Sequence, residues 1–268
     1  YAIAGEGLES VSGSVFRYLT AEDRWEQLSE KPTSVTDVEG VLIGEKIYVP
    51  GGRLEGGENT DVLEVYDPRR DTWEQKASLP IKISGYALAD FEGEMYLFGG
   101  WDGEEVLDIA LRYDPQEDAW EYVTPMPTAR AYAGAASAGG KIFVISGWDG
   151  EKALDINESY SPTRDIQGDG AWQTESNLPA AGFCMGVESF AEMVFVMGGD
   201  MVWQFTTGSD TWNYDESKIP FDSNYDFGFS LLESYIFIIG GKNNYKENLS
   251  NVYRYQAIYS FVLPIIKN

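Results

Sequence analysis

The sequence predicts an all-β chain of six similar units closed into a ring, and three observations predict it. A short apolar run ending in glycine recurs six times, as YAIAGEG (1–7), IYVPGG (47–52), MYLFGG (95–100), IFVISG (142–147), VFVMGG (194–199) and IFIIGG (236–241). Anchored on Gly5, Gly51, Gly99, Gly147, Gly198 and Gly240, the steps are 46, 48, 48, 51 and 42, so the units fill all 268 residues, and a fixed period of this size marks a repeat architecture. An aromatic pair keeps register with the glycines. Tyr18 and Trp25, Tyr66 and Trp73, Tyr113 and Trp120, and Phe205 and Trp212 are each seven apart, whereas Tyr160 and Trp172 are twelve apart because TRDIQGDG (163–170) is inserted between them. Composition agrees, since 14% aromatic residues and 29 glycines suit short strands and tight turns.

Each unit reads as four short strands. In the third unit they are SGYALAD (84–90), EMYLFGG (94–100), DIALRYDP (108–115) and AWEYVTP (119–125), separated by Gly, Asp and Pro turn signals. The paired glycines do not form a phosphate loop. They lead into an acidic turn, WDGE (101–104), rather than a helix start, and no GKS or GKT follows. A four-stranded sheet cannot bury both faces alone, so neighbouring units must stack with Tyr and Trp between them. Radial stacking leaves few strand edges exposed. We read one domain over 1–268, with units at approximately 1–31, 32–80, 81–127, 128–179, 180–220 and 221–268.

The diglycine after an apolar strand, the Tyr–x6–Trp spacing and the period near 50 resemble the kelch repeat over essentially the whole chain. That resemblance implies a six-bladed β-propeller. Departures are local: Glu6 stands where a second glycine is expected, Trp148 follows a single counted glycine, and the sixth unit has Phe261 near the expected Trp. The first unit enters at its second strand, so blade 1 is expected either to have three strands or to be closed by residues outside this chain.

Charge and composition exclude several classes. Nineteen basic against 44 acidic residues give a net charge of −25, which opposes binding to nucleic acid and repels an anionic membrane surface. The same charge keeps a large surface soluble. No apolar run approaches the roughly 18 residues of a spanning helix. Cys184 is the single cysteine, so no internal disulfide forms, and it reads as a small buried apolar residue. The chain lacks histidine, which removes the Ser-His-Asp triad, His-based zinc sites and the copper ligation of the oxidases built on kelch propellers. Asp165 and Asp169 do not have the spacing of a calcium loop, and no cofactor or metal is expected. The chain opens on Tyr1 rather than Met and reads as a processed or trimmed piece. The end FVLPIIKN (261–268) is similar to the tail of some exported bacterial proteins, which leans the reading toward export. Asn157 and Asn248 begin N-x-S triplets that matter only in a glycosylating compartment.

Function is expected on loops at one end of the propeller channel. The kelch resemblance implies that this surface comes from the loop entering each innermost strand and the loop after the glycines. Counting back 17 from each anchor gives Ser34, Lys82, Arg130, Ala181 and Ser223. Counting back 15 gives Thr36, Ser84, Tyr132, Phe183 and Tyr225, and counting back 14 gives Asp37, Gly85, Ala133, Cys184 and Asp226. Side chains two apart in a strand share a side, so the first two rings are expected at the channel mouth. Arg130 followed by Tyr132 offers a planar fork for a carboxylate beside a stacking surface; the alternative is that Arg130 pairs with a neighbouring carboxylate. Asp37 and Asp226 share a register on blades 2 and 6 and read either as solvated, paired carboxylates or as an acid and base. GWDGEEVLD and GWDGEKALD follow Gly99 and Gly147. Asp-Gly accounts for a tight turn there but not for Trp101 and Trp148, which are expected to contact a ligand.

The expected function is therefore a non-catalytic, monomeric binding module for a protein or peptide segment, basic or carboxylate-bearing. Its ligand-binding residues are Arg130, Tyr132, Tyr225, Trp101, Trp148, Lys82, Ser84 and Phe183. Two alternatives stay open: a carbohydrate-binding propeller, and an enzyme resembling the bacterial kelch sugar-acid mutarotases, with a carboxylate and Arg130 acting on a sialic-acid-like substrate.

Overall fold

The computed structural model describes residues 1–7, 10–168, 170–198, 201–215, 227–232, 235–241 and 252–256. Ser223, Tyr225, Asp226, Asp169, Asn248, Phe261 and the FVLPIIKN end lie outside them.

Six small antiparallel sheets form a six-bladed β-propeller. Blade 1 has strands Ala2–Glu6, Val11–Leu19 and Arg24–Leu28. Blade 2 has Val41–Ile43, Lys46–Pro50, Leu63–Asp67 and Thr72–Lys76. Blade 3 has Ala87–Phe91, Glu94–Phe98, Ala110–Asp114 and Ala119–Tyr122. Blade 4 has Gly134–Ala138, Lys141–Ile145, Asn157–Tyr160 and Trp172–Thr174. Blade 5 has Gly186–Phe190, Met193–Gly198, Met201–Thr206 and Thr211–Asp215. Blade 6 shows Gly228–Leu232, Tyr235–Ile239 and Val252–Gln256. Within each blade the strands pair in chain order. Among the described residues, blade 1 has three strands and its first occupies the second-strand position of the other blades.

The apolar faces meet between blades. One cluster joins Leu63, Val65 and Tyr48 of blade 2 to Leu88, Leu97 and Tyr113 of blade 3. Another joins Phe98 and Tyr96 of blade 3 to Ile142, Val144 and Tyr160 of blade 4, and further clusters lie at the junctions of blades 4 and 5, 5 and 6, and 1 and 2. Tyr18 of blade 1 meets Phe237 of blade 6 at 6.3 Å between ring centroids, which brings the two ends of the ring together. Most blade-to-blade adhesion is thus the burial of aliphatic and aromatic surface.

The aromatic pairs are cross-strand neighbours. Tyr66 faces Trp73, Tyr113 faces Trp120 and Tyr160 faces Trp172, with centroids 5.0, 5.0 and 5.1 Å apart. An Asp five residues after the Tyr completes the device. The Tyr hydroxyl donates to Asp71 at 2.7 Å, Asp118 at 2.6 Å and Asp165 at 2.5 Å. The same Asp accepts the backbone N–H of one residue in the preceding blade, and the Trp indole donates to that residue's carbonyl. The clasped residues are Ser29 (2.8 and 3.0 Å), Ala77 (2.9 and 2.9 Å), Thr124 (3.1 and 2.9 Å) and Ser176 (2.7 and 2.7 Å, to Asp210 and Trp212). Blades 2, 3, 4 and 5 therefore each hold the preceding blade by two hydrogen bonds, which satisfy backbone groups that would otherwise be unmet. The insertion in blade 4 folds as a short helix, Pro162–Gln167, capped by Ser161 and ended by Gly168 in the left-handed region. It keeps Asp165 in the clasp despite the extra residues.

The glycine pair has a steric cause. Gly99 and Gly100 adopt φ of 60° and 113°, and a Cβ on Gly99 would lie 2.2 Å from the Arg130 carbonyl oxygen of the next blade. The first φ is open to other residues, the second essentially only to glycine. Ala4–Gly5 (59°, 115°) and Ser146–Gly147 (63°, 115°) repeat that pattern. Gly5 and Gly147 are therefore second members of their pairs. Glu6 and Trp148 stand one place beyond the pair, in register with Arg53 and Trp101, so the sequence count is shifted by one in blades 1 and 4.

Candidate functional site

Consecutive antiparallel strands place the loops after the glycine pairs and the loops entering the innermost strands at the same end of the propeller. Isolated bridges confirm the junction: Thr36 pairs with Arg53, Ser84 with Trp101 and Ala131 with Trp148. One turn of the channel mouth is held by backbone alone. Gly85 N–H donates to Asp37 at 2.8 Å, Tyr132 N–H to Gly85 at 2.6 Å and Cys184 N–H to Tyr132 at 2.9 Å. These four residues share a left-handed φ of 50–60° and form one ring across blades 2 to 5. Gly85 gives the Tyr132 ring its place, because a Cβ there would lie 2.8 Å from the Tyr132 Cε1. Cys184 is half-buried in this ring rather than a core residue.

Above it, blades 1 and 2 meet through ions. Arg53 Nε lies 2.8 Å from Asp37 Oδ2, and its Nη2 lies 3.7 Å from Glu6 Oε2. The Asp37 hydrogen bond and charge, with smaller contributions from Glu6 and Tyr132, hold the Arg53 guanidinium still more firmly protonated against the opposing effect of burial. Blades 3 and 4 meet through indoles. Trp101 and Trp148 are half-buried, with ring centroids 6.2 Å apart and planes inclined at 47°. The Trp101 carbonyl accepts from Asn59 Nδ2 at 2.6 Å, tying in the loop of blade 2.

The turns after the two indoles are built alike. Asp102 Oδ1 accepts the N–H groups of Glu104 and Glu105, both at 2.8 Å. Asp149 Oδ1 accepts those of Glu151 and Lys152, both at 2.9 Å. Hydrogen bonds from the Lys152 and Glu151 backbone hold the Asp149 carboxyl below its ordinary range. Each indole is thus followed by a carboxylate fixed in place by two backbone N–H groups.

The remaining sequence-derived residues divide. Lys82 is exposed beside the mouth, and Phe183 is 46% exposed next to Cys184. Ser84 is fully buried, with no hydrogen-bond partner for its Oγ. Arg130 is also fully buried. Its Nη1 pairs with Glu158 Oε2 at 2.7 Å and its Nη2 donates to the Val144 carbonyl at 3.0 Å. The reason is register: counted from Ser146, Arg130 is equivalent to Val35 and Ile83, core positions whose carbonyls, like that of Arg130, accept from the second glycine of the preceding blade. Tyr225 lies outside the described residues. Arg53, Glu6 and Asn59 also belong to the rim; the signal for Arg53 and Glu6 is the position two beyond the first residue of the left-handed pair, which they share with Trp101, whereas no spacing marks Asn59. Asn157 is 0% exposed within its strand, so its N-x-S triplet presents no acceptor to a glycosylating enzyme.

Among the described residues no group of three or more His, Cys, Asp or Glu side chains converges on a metal-sized site, and no helix is long and apolar enough to cross a membrane.

Comparison with known proteins agrees with this architecture. The kelch-motif family model matches residues 36–80, 84–127 and 129–179, more than half of the chain. Alpha-scruin of Limulus polyphemus is 28% identical over 95 residues, covering 35% of this chain and 10% of that protein. Kelch-like protein 15 of Danio rerio is 27% identical over 115 residues, covering 37% and 19%. The chain therefore aligns with a small part of the length of these curated relatives. The solved structure of YjhT is similar with a TM-score of 0.77 at 14% identity, covering 93% of this chain and 92% of that one, a likeness of fold. The motif matches, the left-handed glycine pairs and the Tyr–Asp–Trp clasps agree, and the chain belongs to the kelch-repeat family.

Proposed function

We propose that this chain is a non-catalytic interaction module that holds a protein or peptide segment at the rim formed by Trp101, Trp148, Tyr132, Phe183 and the Glu6–Arg53–Asp37 network. Kelch propellers commonly mediate protein–protein interaction, and that family habit supports the reading. The observation that carries it is the Trp101–Trp148 pair. Large, rigid, amphipathic side chains at a loop-lined mouth are the residue types that dominate binding hot spots. The neighbouring rim groups favour contact over proton transfer, because Asp37 is committed to Arg53 and Asp102 and Asp149 to their own turns.

A display selection of random peptides on the wild-type protein, repeated on Trp101→Ala/Trp148→Ala, tests the proposal. Peptides that bind the wild type and lose about tenfold or more on the variant are expected. Selected peptides that bind both proteins equally would contradict it. The indole pair beside Asp102 and Asp149 also suits a sugar face, so neutral sugars and sialic acid serve as competitors, and displacement by them would turn the reading toward a carbohydrate ligand.

A further inference from the structure

We infer that the segment held at this rim is cationic and seats an arginine side chain on the Trp101–Trp148 pair. The inference rests on the rim being an interaction surface and adds the chemistry of what it takes.

Three observations favour a cation. The loops after the glycine pairs in blades 2, 3 and 4 (51–62, 99–109 and 146–156) carry ten carboxylates and two basic residues. Of those two, Arg53 is already bridged by Asp37 and Glu6, so the end of the propeller that bears the indoles has an excess of negative charge. Within it, Asp102 and Asp149 sit next to the indoles in identical turns, held by pairs of backbone N–H groups, and Glu104, Glu105 and Glu151 are exposed around them. Finally, an indole face is the best aromatic partner for a cation. Two indoles inclined at 47° with centroids 6.2 Å apart present more than one ring to a single group. A guanidinium is planar, weakly hydrated and able to stack while donating to carboxylates at its edge, which an ammonium does less well. A carboxylate-bearing segment would meet the same excess charge as repulsion.

The test is calorimetric titration of the full chain with the acetylated, amidated pentapeptide Gly-Arg-Gly-Arg-Gly. Its lysine counterpart and its uncharged citrulline counterpart are run beside it, each at about 50 mM and about 300 mM NaCl to bracket the screening length. The arginine peptide should bind more tightly than the lysine peptide, bind at least about tenfold more tightly than the citrulline peptide, and weaken with salt. Trp101→Ala/Trp148→Ala should weaken it about 5- to 30-fold. If that variant no longer melts cooperatively, Trp101→Phe/Trp148→Phe keeps the packing and should show a smaller loss in the same direction. Asp102→Asn/Asp149→Asn, which preserves the turns, should also weaken the arginine peptide. Binding that is unchanged in the Trp variants would mean general attraction to an acidic surface and would overturn the inference, as would equal binding of the arginine and citrulline peptides or no binding of the arginine peptide. The two readings fail separately: rim-dependent display peptides that are neutral or acidic would leave the interaction module standing and remove its cationic partner, whereas display peptides indifferent to the Trp pair would remove both.

Discussion

Glu39 of blade 2 and Glu188 of blade 5 each bind the innermost strand of the next blade. Glu39 Oε2 accepts the Leu88 N–H at 2.9 Å, and Glu188 Oε1 accepts the Leu231 N–H at 3.4 Å. Both keep some accessible surface, yet the surrounding strands strip most of their water. Burial pushes Glu39 up to about 8, with the Leu88 N–H opposing and the Glu188 charge adding. Burial pushes Glu188 up to about 7, with the Leu231 N–H opposing and Asp90 adding. An acid whose pKa is higher folded than unfolded stabilises the fold fully below its unfolded pKa, about 4.3, and loses that contribution as pH rises through its folded pKa. For Glu39 the window is therefore about pH 4.3 to 8. Glu39→Gln keeps an acceptor for Leu88 and removes the titration, so its melting temperature should exceed that of the wild type by a margin that grows from pH 5 to pH 8; a margin independent of pH would contradict this assignment. At the same scale, Arg130 shows why part of the rim was hard to read. Counting on the letter Gly placed it at the mouth. The anchor that matters is the φ above 100°, which only glycine takes, and Ser146 at 63° occupies the other place. The same shift moves Tyr132, which the count grouped with Thr36 and Ser84, into the ring of Asp37, Gly85 and Cys184, while Ala131 takes the place beside Thr36 and Ser84. Trp101 and Trp148 stood out by their residue type in a turn and not by the count.

Among elements, the clasp between blades was half legible. The Tyr–Trp spacing announced a cross-strand pair, but the intervening Asp looked like a turn residue, and its second partner is a backbone N–H some forty residues away that no local pattern shows. Asp118→Ala should cost about 1–3 kcal/mol, because Tyr113 and Ala77 each lose an acceptor, and Asp118→Asn should recover part of it; urea unfolding measures both. The Leu-Pro, Met-Pro, Leu-Pro series (Leu79, Met126, Leu178) supplies a second case. All three donate from backbone N–H to a carbonyl of their own blade (Asp61, Asp108 and Asp155), and Lys31 makes the same bond to Gly13 at 2.8 Å. Lys31 thus occupies an apolar plug position. It is fully buried, and Glu64 answers it at 2.6 Å. In blade 3 the matching pair is Leu79 and Leu111, both in the core. Lys31→Met alone strands the Glu64 charge and should cost about 3–5 kcal/mol, whereas Lys31→Leu with Glu64→Leu should be neutral or stabilising by about 1–4 kcal/mol. A double variant as unstable as the single would show that the ion pair is needed for more than charge balance.

For the whole molecule, the ring was the most legible level, because a repeat states itself six times while each binding residue is stated once. The period and the strand count per unit specify blades that must stack, and the observed cores do lie at the junctions between consecutive blades. The net charge of −25 acts at this level too. Self-repulsion opposes the compact ring and salt screens it, so the melting temperature should rise between about 20 mM and about 300 mM NaCl, most steeply at the low end; a fall would mean that specific ion pairs outweigh the net field. The resemblance also implied which loops converge; what sequence could not supply is which side chains on them reach the mouth, since Arg130 and Ser84 turn inward while Arg53 and Glu6 meet across blades. Amide hydrogen exchange of the full chain, with and without a saturating display-selected peptide, tests the Trp101–Trp148 rim most directly. Protection concentrated in residues 51–62, 99–109 and 146–156, with little change on the outer strands, is the predicted result. Protection confined to the opposite end, around the outer strand of blade 3 and the helix Pro162–Gln167, would contradict the claim that this propeller works through the Trp101–Trp148 rim.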